Sequence, residues 1–220
     1  MKGLFITLEG TEGCGKSTQM TLLAERLSAF KVRQLREPGG TSIGEEIRHT
    51  LKHSDQNHAM TAEAELLLMN ASRAQLVREI IRPALAAGEI VVSDRFYDST
   101  TAYQGYGRQL DLAQVKTIID FAVGDTRPHL TLLLDVPLEV SEARRAARGK
   151  SQAAQRDRFE EAERAFFLRV HAGFHAIAQA ESERVRRIDA TRSIAAVSDA
   201  IWTQVSSLVE RFQPARTRRD

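Results

Sequence analysis

The sequence has 220 residues, 42% hydrophobic and 27% charged, a composition that predicts a globular protein with one sizeable core. Its 31 lysines and arginines nearly balance 29 aspartates and glutamates, so the formal net charge of +2 argues against nucleic acid or a membrane as a partner. A single cysteine excludes an internal disulfide, and no apolar run approaches the roughly 18 residues of a membrane span. The apolar run before Glu9 is also too short for a signal peptide. We expect a cytoplasmic protein with one domain over residues 1–212 and a basic, disordered tail over 213–220.

Short apolar runs of strand length recur along the chain, separated by longer amphipathic stretches. The predicted strands are Leu4 to Leu8, Val32 to Leu35, Ile90 to Ser93, Leu130 to Val136 and Arg184 to Asp189. Three of these runs are nearly continuous in apolar residues, which is typical of strands covered by helices on both faces. The alternation predicts an α/β fold with a three-layer, five-stranded parallel doubly wound sheet.

The first predicted strand is followed by GTEGCGKS, Gly10 to Ser17, which matches the phosphate-loop pattern G-x-x-x-x-G-K-[ST]. Its glycines let backbone N–H groups converge on phosphate oxygens, and the N-terminus of the next helix adds its dipole. Lys16 is expected to reach the β- and γ-phosphates of ATP, and Ser17 to coordinate Mg²⁺. The predicted nucleotide-binding residues of the loop are Gly10, Thr11, Glu12, Gly13, Cys14, Gly15, Lys16, Ser17 and Thr18. The motif predicts a P-loop NTPase fold but does not identify the reaction.

A second polar stretch, SDRFYDSTTAYQGYGR, begins at Ser93 where a buried strand ends. Asp94 is expected at the carboxyl edge of the sheet, where open α/β folds bind ligands, and could hold the water shell of Mg²⁺. Arg95 suits a phosphate because its guanidinium binds oxygens bidentately. A salt bridge between Asp94 and Arg95 that closes the strand is the structural alternative.

Six motifs taken together resemble those of bacterial thymidylate kinases, in order and in approximate spacing. They are EGTEGCGKST (Glu9 to Thr18), REPGGT (Arg36 to Thr41), SRAQLV (Ser72 to Val77), DRFYDSTTAYQGYGR (Asp94 to Arg108), DRFE (Asp157 to Glu160) and IDAT (Ile188 to Thr191). The resemblance extends from about residue 3 to residue 212. It implies a homodimeric P-loop kinase with a helical lid that transfers the γ-phosphoryl group of ATP to dTMP, with Mg²⁺, for dTTP synthesis.

The resemblance also implies individual roles in binding dTMP. Glu12, a carboxylate within a phosphate loop, would accept a hydrogen bond from the 3′-hydroxyl group. Arg95 and Arg48 would bind the phosphate of dTMP, and Arg73 a carbonyl of thymine. The other implied pocket residues are Pro38, Met69, Thr100 near the base edge, Tyr103 under the deoxyribose, and Gln104.

Met69 departs from the family pattern, because many members place there a phenylalanine that stacks on thymine. A thioether can contact the ring instead, although it is less rigid than a phenyl face. The apolar helical pattern AELLLMNA, by itself, favours a core position for Met69. A kinase of dUMP or dCMP therefore stays open as an alternative, and a non-catalytic ATP-dependent switch is the alternative of another class. An adenylate kinase is disfavoured, since its loop characteristically carries a proline.

The segment from Arg144 to Arg158, RRAARGKSQAAQRDR, interrupts the α/β pattern with five arginines and few large apolar residues. It is either a solvated helix end or a basic flap over an anionic ligand. The resemblance implies the flap, a lid over about 144–158 whose arginines stabilise the transferring phosphoryl group. Arg148 is the first candidate for the catalytic arginine, and Arg158 is the second.

Two further features lie near the C-terminus. The IDAT motif places Ala190 and Thr191 where backbone contacts to adenine are implied, although a helix N-cap at Thr191 or Ser193 also fits the pattern. His171 and His175 are spaced four residues apart on a predicted helix, a spacing that could bind a metal. No glutamate follows His171 as in H-E-x-x-H, so surface histidines are the favoured interpretation.

Overall fold

The computed structural model describes residues 3–54, 57–151 and 164–213, with the side chains of 148–151 excepted. Within these ranges the strands are β1 (Leu4–Glu9), β2 (Val32–Arg36), β3 (Ile90–Asp94), β4 (Leu130–Asp135) and β5 (Val185–Asp189). They form one parallel sheet in the order β2-β3-β1-β4-β5. Every predicted strand is confirmed, and each boundary lies within one residue of the prediction.

Helices connect the strands. They are α1 (Lys16–Arg26), α2 (Ser42–Lys52), α3 (Ala62–Leu76), α4 (Arg82–Ala86), α5 (Tyr97–Thr100), α6 (Leu112–Val123), α7 (Leu138–Ser151), α8 (Arg164–Ala180) and α9 (Ile194–Phe212). A π-helical turn over Val77–Ile81 joins α3 to α4, a second over Thr101–Gly107 continues α5, and a 3₁₀ turn spans Asn57–Ala59. Ser193 is the N-cap of α9 and accepts a hydrogen bond from the backbone N–H of Ala196, as one of the two cap alternatives predicted. No helix in the described ranges is long and apolar enough to cross a bilayer.

The core lies on both faces of the sheet because successive side chains of a strand point to opposite sides. Leu4, Ile6 and Leu8 of β1 pack with the apolar faces of α1 and α9. Phe5 of the same strand packs on the other side, in the cluster formed with α3 and α6. β1, β3 and β4 are buried along nearly their whole length, whereas β2 and β5 are edge strands with exposed residues. The near-continuous apolar sequence of the three inner strands is explained by this double coverage.

β1 is paired with β3 on one side and with β4 on the other. From β1 the chain continues to β2 at one edge of the sheet, whereas from β3 it crosses to β4 on the other side of β1. The two connections therefore diverge at the carboxyl ends of β1 and β3. Leu8 lies opposite Asp94 in this register, and the predicted phosphate loop follows β1 directly. In open α/β sheets such a switch point forms the crevice in which ligands bind. The fold therefore brings the phosphate loop and the end of β3 to one place.

Candidate active site

The phosphate loop, residues 10–17, turns tightly against β4 and α7. Gly10 and Gly13 have φ angles of 136° and 82°, values that favour glycine. A Cβ atom on Gly10 would lie 2.5 Å from the carbonyl oxygen of Leu134, and one on Gly13 would lie 3.0 Å from that of Ser141. Glycine is favoured at both positions by the positive φ, and at Gly10 the neighbouring backbone also leaves no room for a side chain.

Lys16 begins α1 and folds back over the loop. Its Nζ donates to the carbonyl oxygens of Gly10 and Thr11, at 3.2 and 3.1 Å, and lies 3.6 Å from Sγ of Cys14. Cys14 is buried in the core between the sheet and α1, so its backbone rather than its thiol is available to a ligand. The ammonium group is thus held inside the loop, where a phosphate chain would need a positive charge.

Ser17 and Asp94 meet beside the loop. The hydroxyl of Ser17 donates to Oδ2 of Asp94 at 3.3 Å. A hydroxyl and a carboxylate are oxygen ligands of the kind that Mg²⁺ prefers, alone or through water. The two residues predicted to hold Mg²⁺ are therefore adjacent, and their chemistry fits this ion.

Arg95 is partly buried beside the loop and has a positive φ of 73°. Its guanidinium donates to the carbonyl of Gly10 at 3.1 Å, to Ser99 Oγ at 2.9 Å and to the hydroxyl of Tyr103 at 3.2 Å. Its Nη2 also lies 4.0 Å from Oε1 of Glu12. These contacts fix the cation at the junction of the phosphate loop and α5, and Glu12 is its acidic neighbour there.

Two adjoining cavities open at this edge of the sheet. The first is the smaller of the two and is lined by both charged and apolar side chains. Its lining contains every predicted acceptor residue except Arg48: Glu12, Pro38, Met69, Arg73, Arg95, Thr100, Tyr103 and Gln104. The second, of about 1750 Å³, is lined by the loop from Glu12 to Thr18 and also by Arg48, Asp94 and Ala190. Glu12 and Arg95 line both cavities, so they stand where a donor and an acceptor would meet.

Comparison with known proteins identifies the family of this chain. The family model described as thymidylate kinase matches residues 8–201 of the chain. The chain belongs to the thymidylate kinase family. It is 49% identical over 213 residues to a thymidylate kinase of Pseudomonas fluorescens (strain SBW25), covering 96% of this chain and 99% of that protein. It is 48% identical over 204 residues to one of Synechococcus sp. (strain JA-2-3B'a(2-13)), covering 92% and 94%.

A solved structure supports the family fold as well. The crystal structure of thymidylate kinase from Ehrlichia chaffeensis matches with a TM-score of 0.74 and 33% identity, covering 94% of this chain and 99% of that one. The predicted P-loop kinase fold and the resemblance to thymidylate kinases are both confirmed. The relatives give no support to the alternatives left open by the sequence.

The two residues predicted to contact adenine, Ala190 and Thr191, differ in whether they reach the larger cavity. Ala190 lines the larger cavity. Thr191 instead turns toward Asp189, whose Oδ1 accepts from its hydroxyl at 2.6 Å and from its backbone N–H at 3.0 Å. Only the first of the two lies at the cavity surface in this structure.

Met69 lies where it can be both a core residue and a pocket residue, the two interpretations that the sequence left open. It is half-buried and packs against the apolar cluster that contains Ala102, Tyr103 and Phe166. It also lines the smaller cavity, opposite the charged residues. The residue that replaces the phenylalanine common in thymidylate kinases is thus part of the core and of the pocket wall at once.

Arg73 is held by a buried ion pair with Glu37, a residue that the sequence analysis did not single out. The guanidinium is 2% exposed and lies 2.7 Å from Oε2 of Glu37. Asn70 Oδ1 and the carbonyl of Phe96 accept further hydrogen bonds from it, at 3.0 and 3.2 Å. Burial raises the pKa of Glu37, and its Oε1 has no hydrogen-bond partner although Glu37 lines the cavity. The signal in the sequence is the motif REPGGT, in which an acidic residue precedes the predicted pocket residue Pro38.

Glu9 and Arg144 were also missed, and both support the loops. Glu9, wholly buried at the end of β1, accepts from the backbone N–H of Phe96 at 2.7 Å and from the hydroxyl of Ser99 at 2.6 Å. Burial raises the pKa of Glu9 to about 7. Arg144 of α7 donates to the carbonyl oxygens of Gly13 and Ala190, at 3.4 and 3.0 Å. A carboxylate ending an apolar strand was the available signal for Glu9.

The predicted lid arginines lie outside the described part of the molecule. Arg148 belongs by its backbone to α7, but its side chain is not described, and Arg158 is within the undescribed residues 152–163. α7 extends to Ser151 and so includes the first residues of the segment predicted to form the lid. The roles of both arginines stay predictions.

Proposed function

We propose that this chain is a thymidylate kinase, which transfers the γ-phosphoryl group of ATP to dTMP and releases ADP and dTDP. The observation that carries the proposal is the pair of adjoining cavities that share Glu12 and Arg95. One cavity contains the phosphate loop, and the other contains the residues that the family pattern assigns to dTMP. Direct transfer requires two phosphate groups to meet in line, and a shared boundary provides that geometry.

The donor side would bind ATP through the backbone N–H groups of the loop and the ammonium of Lys16. Ser17 directly, and Asp94 through water, would hold Mg²⁺, which would supply positive charge to offset that of the phosphates. Lys16 already points into the loop, so its charge needs little reorganisation on binding. Backbone groups at Ala190 and Thr191 would contact the adenine ring.

The acceptor side would hold dTMP by its phosphate and by its sugar. Arg95 and Arg48 bind the phosphate and direct one of its oxygens at the γ-phosphorus, whose bond to the β-γ bridging oxygen then breaks. Glu12 accepts a hydrogen bond from the 3′-hydroxyl, and this role accounts for a carboxylate in a loop that otherwise binds phosphate. The cation of Arg95, 4.0 Å away, offsets its charge.

The base would be selected by the far end of the smaller cavity. Arg73, fixed by Glu37, donates to a carbonyl of thymine, while Pro38 and Met69 contact the ring. Tyr103 lies under the deoxyribose and disfavours a 2′-hydroxyl. Thr100 and Gln104 supply polar groups near the edge of the base.

The transition state of phosphoryl transfer is loose, and its charge lies on peripheral oxygens, so further cations are needed beside the γ-phosphate. We assign this role to the lid, with Arg148 as the first candidate and Arg158 as the second. The same proposal includes a cytoplasmic location and a homodimer, both of which rest on the family resemblance.

The test is ADP formation from Mg·ATP with a panel of acceptors: dTMP, dUMP, ribosyl TMP, dCMP and AMP. We expect turnover with dTMP to exceed that with each of the others. Equal or faster turnover with dUMP or dCMP would replace the proposal with a kinase of that nucleotide. ATP binding without turnover of any acceptor would favour a switch. In the same assay, Glu12→Gln and Arg148→Ala should lower turnover of dTMP, and an unchanged rate would remove the role given to that residue.

A further inference from the structure

A second cluster of ligand-type side chains lies apart from both cavities, where β4 ends against α8. Asp135 is the last residue of β4, and His171 and His175 are one turn apart on α8. The Nε2 atoms of His171 and His175 lie 3.3 and 2.9 Å from the same oxygen, Oδ1 of Asp135. Within the described chain these residues line neither cavity, so the phosphoryl-transfer site does not account for them.

The two imidazoles were expected at the surface, but the structure partly buries them. Their side chains are 28% and 35% exposed, and that of Asp135 is 18% exposed. The ring centroids of the two histidines are 4.3 Å apart. Residues four apart lie on the same face of a helix, so the two rings turn toward one point instead of diverging into solvent.

The contact between His171 and Asp135 is loose. Nε2 of His171 is buried and lies 3.3 Å from Oδ1 of Asp135, but the pair lacks the alignment of a hydrogen bond.

From this geometry we infer a binding site for a divalent transition-metal ion of the Zn²⁺ type, with Nε2 of His171, Nε2 of His175 and Oδ1 of Asp135 as ligands. The three ligand atoms all lie within 4.8 Å of one another. Around a tetrahedral ion with bonds of about 2.0–2.1 Å, neighbouring ligand atoms are roughly 3.3–3.4 Å apart. The contact of His171 at 3.3 Å already meets this spacing, and that of His175 at 2.9 Å must open by about 0.4 Å.

The remaining oxygen of Asp135 is engaged by Arg187, whose Nη2 lies 2.6 Å from Oδ2. This pair turns Oδ1 toward the histidines and favours a one-oxygen ligand. Two imidazoles and one carboxylate suit Zn²⁺, Co²⁺ or Ni²⁺ better than Mg²⁺, which prefers oxygen ligands alone. Three protein ligands leave a position for water, so the site is open and of moderate affinity. A bound ion would tie α8 to the end of β4.

The experiment is calorimetric titration of the full chain, freed of metal by chelator and of any affinity tag, with Zn²⁺ in the presence of excess Mg²⁺. The excess Mg²⁺ competes with Zn²⁺ for the predicted site at Ser17 and Asp94, and the histidine variants distinguish the two sites. Titration with Co²⁺ provides a second readout, since tetrahedral Co²⁺ has intense visible absorption bands. We expect one equivalent of Zn²⁺ to bind, and the Co²⁺ complex to show those bands.

The matched variants decide the ligands. His171→Ala and His175→Ala are each expected to weaken Zn²⁺ binding by at least about 10-fold and to remove the Co²⁺ bands. The pair His49→Ala and His53→Ala, which are also four residues apart at the C-terminal end of α2, is the control and should bind as the parent chain does. Circular dichroism of each variant verifies that it is folded.

Two outcomes would overturn the inference. One is the absence of Zn²⁺ binding in a folded parent chain, which would reduce the cluster to a histidine-aspartate ion pair. The other is Zn²⁺ affinity within about twofold of the parent in the double variant His171→Ala/His175→Ala, which would place the ion elsewhere. Neither readout depends on kinase activity, so failure of this inference and failure of the proposed function are distinguishable.

Discussion

At the scale of single residues, Met69 shows how one side chain can belong to two environments. Its stem packs with the aromatic cluster around Tyr103, and its other side lines the smaller cavity. A flexible, polarizable thioether can fill such an irregular boundary, where a ring would have one preferred orientation. The residue therefore contributes apolar contact to the base without a fixed stacking plane.

Truncating Met69 should weaken dTMP binding without slowing chemistry. We expect Met69→Ala to raise KM for dTMP by about 10-fold and to leave kcat within about twofold, because the lost contact is equal in the ground and transition states. Steady-state kinetics with varied dTMP measures this, and KM for ATP should stay unchanged. Met69→Leu, which nearly conserves volume, is the matched control and should remain close to the parent chain. An unchanged KM in the alanine variant would make Met69 a core residue only.

The positions of site residues could be predicted where a glycine-rich or charged motif followed an apolar strand. Lys16, Asp94 and Arg95 are in this class, because the carboxyl ends of parallel strands meet at one edge. Glu9 and Glu37 also stand at the ends of strands, but the strand-end position alone does not show which side chains they support. Their roles arise from burial beside Arg73 and Ser99, and burial depends on tertiary packing between segments far apart in the sequence.

At the scale of elements, α7 acts as a support for the phosphate loop. Ser141 donates to the carbonyl of Glu12 at 2.5 Å, and Arg144 reaches the carbonyl of Gly13 and that of Ala190. One helix thus connects the loop after β1 with the loop after β5, between which the larger cavity lies. The position of the donor site depends on this connection as well as on the glycines of the loop itself.

Removing the guanidinium of Arg144 should therefore loosen the donor site. We expect Arg144→Ala to raise KM for ATP by about 10-fold, the equivalent of one charged hydrogen bond of about 1.4 kcal/mol. Initial rates with varied ATP measure the effect. Lys116→Ala removes the same charge from the exposed face of α6 and serves as the control. A matching rise in KM for ATP in the control would attribute the change to net charge and contradict the role of α7.

Element order and type were accessible from the sequence, because three near-continuous apolar runs require coverage on both faces. The π-helical turn over Thr101–Gly107 was not, although it carries Tyr103 and Gln104 into the cavity. Its single-residue shift in hydrogen bonding leaves little trace in the pattern of apolar residues. The cluster of Asp135 with His171 and His175 likewise forms only when α8 packs over the end of β4.

At the scale of the whole molecule, the site is maintained at a cost in stability. Glu9 is wholly buried in the middle of the sheet, between β3 and β4, and burial raises its pKa to about 7 from 4.5. The oxygens of Glu9 accept hydrogen bonds from Phe96 and Ser99, and Ser99 in turn accepts one from Arg95. Glu9 therefore helps to position the chain beside Arg95. A buried carboxylate of this kind destabilises the fold once ionised, and the loss is tolerated where function requires the geometry.

This gives a prediction for the pH dependence of unfolding. A carboxyl group whose pKa is raised on folding holds its proton more tightly in the folded state, so its effect is to lower stability as pH rises between about 4.5 and about 7. A shift from 4.5 to about 7 corresponds to roughly 3 kcal/mol over that window. Glutamine at this position has no such proton. The free energy of unfolding of Glu9→Gln should therefore rise relative to that of the parent chain, by up to that amount, as pH rises.

Denaturant unfolding of both proteins at pH values across this window measures the difference, and only its change with pH is interpreted. The absolute offset contains altered hydrogen bonds with Ser99 and Phe96, whereas the slope reports protons alone. Glu25→Gln makes the same chemical change at an exposed position of α1 and should give a curve parallel to that of the parent. If the Glu9→Gln curve is also parallel, Glu9 titrates alike in the folded and unfolded chain. Burial at the end of β1 would then impose no electrostatic cost on the fold.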